Sequence, residues 1–370
     1  MTRQVVELDS LAAFDDRVAV QADLHGCFVQ SLDLTGRTAV LDGLEPAGAV
    51  FLGCEFADGV ELRLRSRGAL IFPTLPDLPF NPYRGTLYGA GELYADQYHR
   101  RVGYPDSVDA AIFAWAKQWR SSPSISGSLA VALHDHAITD ALDEAMAGVD
   151  PGAVIGVMGG HATGRDTEPY QNAARLGRDL TLAGRTVVTG GGPGAMEAAN
   201  LGAYLAPYGD VLDEAIGLLA STPLPTGNVD DWAEPAQLVR RRWPEAAAGT
   251  SVGVPTWFYG HEPPNLFSTQ VAKYFLNPLR EDTLLHRCRG GIVFLPGAAG
   301  TVQEIFQAAC ENFYAADEAL VAPMVLVDTA QWTGTLPVWP LLTALGSGRT
   351  MGSRLTLVDT VEEAIAILLR

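Results

Sequence analysis

The chain has 370 residues, of which 48% are hydrophobic and 18% charged, and its formal net charge is −18. The length allows two domains or one large one, and the composition excludes an intrinsically disordered chain. The acidic balance argues against a nucleic-acid polymer or an anionic membrane as partner, because both require a basic surface. A small phosphorylated ligand needs only local donors and remains compatible.

The sequence contains no targeting or membrane-spanning pattern. No apolar run approaches the roughly 18 residues needed to cross a bilayer, and the N-terminal stretch MTRQVVELDSLAAFDD lacks the apolar core of a signal peptide. The four cysteines show no CxxC spacing, which is typical of packing residues in a reducing compartment. We therefore expect a cytoplasmic protein.

The first predicted region is a β-rich N-terminal domain over residues 1–82. Short apolar groups alternate with turn residues in VVELDS, in DLHGCFVQSLDLTGRTAVLDGL and in ELRLRSRGALIF, a pattern that favours short strands at intervals of roughly ten residues. The stretch ADLHGCFVQSLDLTG has a faint five-residue repeat, which leaves a β-helix open, but an ordinary small sheet is favoured.

Residues 83–150 are predicted to form a helical connection. Prolines at 73, 76, 79 and 82 indicate an extended linker or domain edge, and helical spacing follows over 91–101, 107–120 and 128–146. His134 and His136 flank Asp135, which raises the possibility of a metal site. Alternate residues project to different sides of a helix, so we favour a surface or helix-start role and predict no metal.

Residues 151–370 alternate apolar strands with helices. Strands are indicated near AVIGVM, TVVT, TSVGVPTWF, GGIVFLP, PMVLVD and LTLVD, with helical patterns between them. This alternation predicts an α/β, Rossmann-like fold with a doubly wound, mostly parallel sheet covered on both faces. Residues 205–250 carry further turn-rich and helix-like segments. The family resemblance described below implies that they are an insertion, which forms a lid or an oligomer contact.

Two glycine loops in this half share the order strand, tight turn, helix. One is GGIVFLPGAAGTVQE, residues 290–304, and the other is TVVTGGGPGAMEAAN, residues 186–200. Such turns direct the N–H groups of a helix's first turn at one point, where the helix dipole favours an anion such as phosphate. The alternative is that these glycines only connect strands to helices. A third cluster, GGHATGRD, follows the first strand and would permit a close approach to ligand.

The paired motifs VVTGGGPGAMEAAN and FLPGAAGTVQE resemble the two signatures of the Lonely Guy family, GGGxxGxM and PGGxGTxxE. The sequence GPGAMEA and the turn EPPN at 262–265 are most similar to its larger members, the nucleotide 5'-monophosphate nucleosidases. This resemblance, over roughly 151–370, implies hydrolysis of the N-glycosidic bond of a nucleoside 5'-monophosphate, without cofactor or metal, by a homodimer or higher homo-oligomer.

The resemblance also implies the site residues. Arg280 and Glu304 occupy the positions of the catalytic arginine and glutamate. Substrate-binding residues are expected at Gly159, Gly160, Gly191, Gly192, Gly194, Met196, Glu197, Gly297, Gly300 and Thr301. A fixed carboxylate can stabilise an oxocarbenium-like transition state or orient water, while the leaving base needs a proton or a cation and the phosphate needs a clamp.

Alternatives to this interpretation come from the same residues. Glu304 could be a helix-start carboxylate and Arg280 a surface ion pair with Glu281 or Asp282. Ala298 replaces the second glycine of PGGxGT, and its Cβ would resist a backbone of positive φ. The competing function is a non-catalytic nucleotide sensor that uses the same loops. Amino-acid decarboxylation, which only an older label of the same family implies, is discounted because no lysine lies in a recognisable pyridoxal-phosphate context.

Overall fold

The computed structural model describes residues 6–95, 103–225, 227–259 and 263–369. The chain forms two compact units, one from Met1–Thr86 and Gln118–Leu142, the other from Leu87–Lys117 and Asp143–Arg370. The segment between 83 and 150 thus contributes residues to both. We call them the N-terminal unit and the C-terminal unit. Within the described ranges, no helix combines the length and the apolarity needed to cross a membrane.

The N-terminal unit is built on a four-stranded parallel sheet in sequential order. Its elements are β1 (Val6–Leu8), α1 (Leu11–Val20), β2 (Cys27–Gln30), α2 (Thr38–Gly43), β3 (Val50–Leu52), α3 (Val60–Ser66) and β4 (Leu70–Phe72). Val6 pairs with Cys27, Phe28 with Val50, and Val50 with Leu70. Each of the first three strands is therefore followed by a helix, after which the chain returns one position further along the sheet.

Two segments of this unit that were expected to be strand-like are helices. TAVLDG forms α2, and ELRLRS lies within α3. In α3, Val60 and Leu64 are buried, whereas Leu62 is 73% exposed. The buried residues are four apart, which is the spacing of one helical face, so the expectation of a strand was wrong here.

The helices α4 (Val108–Ser121) and α5 (Ile125–Met146) follow. Of the first predicted helix, 91–101, the structure shows a π-helical turn at Gly91–Ala95, and the remainder lies outside the described residues. His134 lies in the middle of α5 and is fully buried, so its predicted surface or helix-start role was wrong. His136 is exposed, and no group of described residues could hold a metal ion.

The C-terminal unit carries a seven-stranded sheet in the order β11-β10-β9-β5-β6-β7-β8, with every neighbouring pair parallel. The strands are β5 (Val154–Met158), β6 (Thr186–Thr189), β7 (Ser251–Gly253), β8 (Gln270–Val271), β9 (Gly291–Phe294), β10 (Met324–Val327) and β11 (Leu355–Val358). The predicted α/β, doubly wound, mostly parallel fold is confirmed. The chain reverses direction across the sheet between β5 and β9, where ligands bind in open α/β sheets.

Helices cover this sheet. They are α6 (Glu168–Leu182), α7 (Ala195–Leu205), α8 (Leu212–Leu219), α9 (Val229–Arg242), α10 (Asn277–Arg287), α11 (Ala299–Tyr314), α12 (Val338–Gly346) and α13 (Val361–Leu368). Helices α6 and α7 make the closest contact, through Gly177 and Gly202. A Cβ at Gly177 would overlap the carbonyl oxygen of Ala199, and a Cβ at Gly202 would overlap that of Ala174.

We predict that Gly177→Ala and Gly202→Ala each lower the free energy of unfolding by about 1–3 kcal/mol, because the overlapping atoms belong to backbone and cannot rotate away. Gly217→Ala in α8 is the matched control, since its Cβ would meet nothing within 4 Å. That variant should be unchanged or up to about 1 kcal/mol more stable. Urea unfolding measures all three, and equal stability of the three variants would contradict the close packing.

A second prediction concerns His134. Burial lowers the pKa of His134 from its ordinary value of 6.5, and the hydrogen bond and charge of Asp135 offset this only in part, while the charge of Arg84 lowers it further. The unfolded chain therefore binds a proton at a higher pH than the folded chain does. This contribution to stability is complete above pH 6.5 and is lost as the pH falls below it.

Unfolding titrations at pH 7.5 and 5.5, compared between the wild type and His134→Gln, test this prediction. The loss of unfolding free energy on acidification should be smaller in the variant, which lacks the titrating ring. An identical loss in both proteins would show that His134 does not contribute to it.

Candidate active site

A cavity of about 1060 Å³ opens at the carboxyl ends of β5, β6 and β9 in the C-terminal unit. Its lining combines three strand-to-helix loops with side chains of α10 and α11 and with residues that precede and begin α9. Of the predicted site residues it brings together Gly159, Gly160, Met196, Arg280, Gly297, Gly300, Thr301 and Glu304.

The loop after β5 holds the other two loops together. The N–H of Gly160 donates to the carbonyl of Pro296 at 3.0 Å, and the N–H of Ala195 donates to the carbonyl of Gly160 at 3.1 Å. Gly194 has φ of +72°, and a Cβ there would overlap the carbonyl oxygen of Gly160. Glycine is therefore required at 194 both by the backbone conformation and by the approach of the two loops.

Helix α11 begins at the cavity with an N-terminus that no side chain caps. Its N-cap, Ala298, provides no side-chain hydrogen bond to the first turn, and Ala299 and Gly300 are exposed to the cavity. The N–H groups of a helix's first turn have no partner within the helix, and the dipole favours negative charge there. Ala298 has φ of −118°, so the backbone does not adopt the positive φ that its Cβ would resist.

The turn before α11 is fixed by neighbouring side chains. Thr301 is 4% exposed, and a Cβ at Gly297 would overlap its Oγ1. Gln331 donates from Nε2 to the carbonyl of Gly297 at 3.0 Å and itself lines the cavity. Asp328, which has φ of +80°, accepts from the N–H of Gln331 at 2.9 Å. The orientation of the turn thus depends on the end of β10 as well as on the motif.

Arg280 lies on α10 and is buried, with 8% of its surface exposed. Its Nε donates to the carbonyl of Val254 at 2.7 Å, and its Nη2 donates to the carbonyl of Gly190 at 3.1 Å. Its Nη1 lies 3.2 Å from Oε1 of Glu304. Arg280 therefore connects the ends of β6 and β7 to α11, and the alternative of a surface ion pair does not apply.

Glu304 and Glu281 place two carboxylates in the same cavity. Glu304 is 6% exposed and Glu281 is 4% exposed, and both line the cavity. The same Nη1 of Arg280 lies 3.2 Å from Glu304 and 3.9 Å from Glu281. A buried carboxylate is strongly disfavoured unless a charge or hydrogen bonds compensate it, and here one guanidinium attracts both.

Glu197 does not line the cavity. It is fully buried and accepts two hydrogen bonds from Arg165, at 2.9 and 2.6 Å, and one from Tyr170 at 3.0 Å. The guanidinium of Arg165 lies 3.3 Å from the ring centroid of Trp232 and donates to that residue's carbonyl at 2.9 Å. The ion pair joins α7 to the loop after β5, and the contacts of Arg165 with Trp232 attach α9 to the same loop.

Gly191, Gly192 and Gly194 also lie outside the lining. Gly191 and Gly194 have positive φ, of +71° and +72°, and so set the backbone conformation of the loop. The N–H of Gly191 donates to Oγ1 of Thr189 at 3.0 Å, and that hydroxyl donates to Asn200 at 2.7 Å. Asn200 also accepts from Asn265 of the EPPN turn at 2.9 Å. In that turn, Pro263 lines the cavity, whereas Glu262 lies outside the described residues.

Sequence reasoning missed several lining residues. They are His161, Ala162, Thr163, Pro225, Gly227, Asn228, Val229, Thr256, Tyr259, Glu281, Gln303 and Gln331 among others. Those at 225–229 belong to the segment interpreted as an insertion, which therefore forms part of the cavity wall. Glu281 directly follows Arg280, and Gln303 directly precedes Glu304, so their positions next to predicted catalytic residues were a usable signal. Gln331 instead follows a different strand, β10, outside both motifs.

Comparison with known proteins gives one family model and several distant structures. The model of the SLOG cluster4 family matches residues 152–209, which contain β5, α6, β6 and α7. No curated protein matches the sequence.

The solved structures that are similar to this chain include a molybdenum cofactor binding protein and a molybdenum cofactor carrier protein. The molybdenum cofactor binding protein of the phototrophic bacterium Rippkaea orientalis is 18% identical, with 58% of this chain and 94% of that chain covered and a TM-score of 0.33. The molybdenum cofactor carrier protein of Chlamydomonas reinhardtii is 19% identical, with coverage of 58% and 94% and a TM-score of 0.35. A structural-genomics target, TM1055, is 22% identical, with coverage of 58% and 97% and a TM-score of 0.37.

We predict strong coupling between Arg280 and Glu304. Arg280→Met should lower the unfolding free energy by about 3–5 kcal/mol, because it leaves a buried carboxylate without its cation. Glu304→Gln in the same chain should restore part of that loss, since the neutral amide needs no counter-charge. A double-mutant cycle by urea unfolding measures the coupling, and strictly additive effects would show that the pair does not interact in solution.

Proposed function

We propose that the cavity binds a nucleoside 5'-monophosphate and hydrolyses its N-glycosidic bond, giving the free base and ribose 5-phosphate. The observation that supports this most is the position of Glu304. Its carboxylate is buried, faces the cavity, and lies one turn beyond the uncapped start of α11. An anion site and a fixed carboxylate are thus carried by one rigid helix.

The spacing along α11 suits a ribose 5-phosphate. Gly300 and Glu304 are four residues apart on α11, which corresponds to about 6 Å along the helix axis. This length is comparable with the distance from a 5'-phosphate to the anomeric carbon of the same ribose. A phosphate bound at the first turn therefore brings the anomeric carbon near the carboxylate of Glu304.

The chemistry follows from this placement. The bond from the anomeric carbon to the base nitrogen breaks, its electron pair stays with the base, and positive charge develops on the sugar. Glu304 stabilises that charge or orients the attacking water, whose oxygen bonds to the anomeric carbon. One proton of the water remains on the sugar hydroxyl, and the other passes to the released base. The reaction consumes only water.

Arg280 has a positioning role in this proposal. Two of its nitrogens donate to the carbonyls of Gly190 and Val254, and the third faces Glu304, so the guanidinium fixes the carboxylate. The phosphate is assigned to the first-turn N–H groups of α11 instead. This assignment differs from a direct clamp by Arg280, because the guanidinium is already bonded to three protein groups.

The bonding of Arg280 to protein groups favours a second candidate function, that of a nucleotide sensor without catalysis. Within the described lining, Arg280 is the only lysine or arginine, and it is bonded to protein groups. A leaving base would then have no cationic side chain of its own. Such a protein would bind nucleotides through the same loops and release no base.

Incubation with AMP, GMP, CMP, UMP and IMP, followed by chromatography of the free base, separates the two. Glu304→Gln should lower kcat by about 100-fold or more with little change in KM, because the charge is used chiefly in the transition state. Glu311→Gln is the matched control on the same helix. Glu311 lies outside the lining, with ion pairs to His286 at 3.4 Å and Arg289 at 3.9 Å.

The control should retain full activity, since partly exposed ion pairs contribute little. Equal base release by the wild type and Glu304→Gln would remove Glu304 from the mechanism. Tight nucleotide binding by the wild type with no base released from any of the five nucleotides would replace hydrolysis by the sensor function.

A further inference from the structure

Glu281 is a second buried carboxylate that lines the cavity. Its Oε1 accepts from Nδ2 of Asn277 at 2.7 Å, and its Oε2 accepts from Nε2 of Gln303. Asn277 lies one turn earlier on α10, and Gln303 lies on α11, so the carboxylate is held from two helices. The same Nδ2 of Asn277 donates to the hydroxyl of Tyr259 at 3.0 Å, which fixes the amide in turn.

This arrangement leaves Glu281 as an acceptor. An ionised carboxylate can accept about four hydrogen bonds, and the two amides use one site on each oxygen. Arg280 attracts the group from 3.9 Å, beyond hydrogen-bond distance. Each oxygen therefore keeps acceptor capacity. A ligand group that contacts Glu281 must therefore carry an N–H or O–H donor. A ligand acceptor in that position would face a carboxylate oxygen, which is also an acceptor, and no hydrogen bond would form.

Electrostatics decides which part of a nucleotide meets Glu281. A phosphate cannot, because two anions repel one another most strongly where water is excluded. The first turn of α11 is the anion site, and Glu304 is assigned to the anomeric carbon. Gln303, which donates to Glu281, is the fifth residue of α11 and lies past the first turn, whose N–H groups are assigned to the phosphate. The parts of the ligand that carry donors are then the ribose hydroxyls and the base. Of these donors, the amino group of the base is the one that distinguishes one ribonucleotide from another.

We propose that Glu281 determines specificity by accepting a hydrogen bond from an amino group of the base. The cavity then selects nucleotides whose base carries an amine over those with a carbonyl at the same position. This inference rests on the proposed function, since it requires a nucleoside monophosphate in the cavity. A hydrogen bond to a charged group is among the stronger ones, and a carbonyl in its place leaves the buried carboxylate facing an acceptor.

Two matched pairs of nucleotides test the proposal, CMP against UMP and AMP against IMP, since each pair exchanges an amine for a carbonyl. Dissociation constants are measured by titration calorimetry in the Glu304→Gln background, so that the result does not depend on turnover. The amino member of at least one pair should bind at least tenfold more tightly. Adding Glu281→Gln should lower that ratio at least tenfold, because the amide has lost the charge.

Asp282→Asn is the matched control, since it removes one carboxylate charge at the next position, where the side chain is exposed and outside the lining. It should leave the ratio unchanged. Should Glu281→Gln fail to fold, Glu281→Asp is the second variant: it keeps the charge but withdraws the carboxylate, and the ratio should again fall.

The outcomes separate this inference from the proposed function. An amino preference that depends on Glu281, in a wild type that releases no base, would uphold the inference and reject hydrolysis. An unchanged ratio in Glu281→Gln would overturn the inference whether or not hydrolysis occurs. Dissociation constants for AMP and dAMP are measured with the same variants. If Glu281→Gln loses a preference for AMP over dAMP and keeps the amino preference, Glu281 is assigned to a ribose hydroxyl and the inference is overturned. No binding of any of the four nucleotides would overturn both.

Discussion

The interaction on which the cavity depends is the set of three bonds made by Arg280. Its guanidinium joins Val254 after β7, Gly190 after β6 and Glu304 on α11, three pieces of chain that are far apart in sequence. Burying an arginine and a carboxylate together costs desolvation that their attraction only partly returns, so the pair is weak evidence of added stability. Its effect is geometric, because the floor of the cavity has one low-energy arrangement when all three bonds form.

The parallel sheet explains why these pieces meet. Strands β5, β6 and β9 are neighbours, so the loops at their carboxyl ends emerge at one edge, and the reversal of strand order between β5 and β9 leaves space there. Buried polar networks lie next to this space. Thr189 and Asn265 each donate to Asn200 beneath the glycine loop, and Arg165 pairs with Glu197 behind it. These buried networks are fully enclosed and hold the loops from below.

Sequence patterns predicted the sheet because its strands are short apolar runs between glycine and proline, which only a doubly covered parallel sheet explains. They failed in α3, where Val60, Leu62 and Leu64 satisfy a two-residue period and the first and last also satisfy a four-residue one. Only packing distinguishes the two periods. Motif spacing placed Glu304 in the cavity, but it could not show which side of α7 carries Glu197, whose partner Arg165 is 32 positions away.

Local context also decided what Ala298 and Glu281 do in the structure. A Cβ at Ala298 would resist a backbone of positive φ, but the backbone there has a negative φ of −118°, so the Cβ is tolerated without loss of the helix start. The sequence identified Glu281 only as a candidate ion-pair partner of Arg280. Its meaning required the tertiary structure, because the amides of Asn277 and Gln303 that fix it come from different helices.

The anion site that we propose, made of backbone N–H groups, suits a chain of net charge −18. The long-range field of such a protein opposes the approach of a phosphate, and salt screens it beyond about 10 Å at 0.1 M ionic strength. Retention must therefore come from donors within contact distance. The start of α11 provides these donors without a cationic side chain. Arg280 is therefore available to hold Glu304. Among the described lining residues there is no second lysine or arginine to compensate the charge of Glu281. Hydrogen-bond donors therefore lie at the helix start, and acceptors lie on the facing side chains. A ligand that is anionic at one end and rich in donors at the other end fits this arrangement in only one orientation.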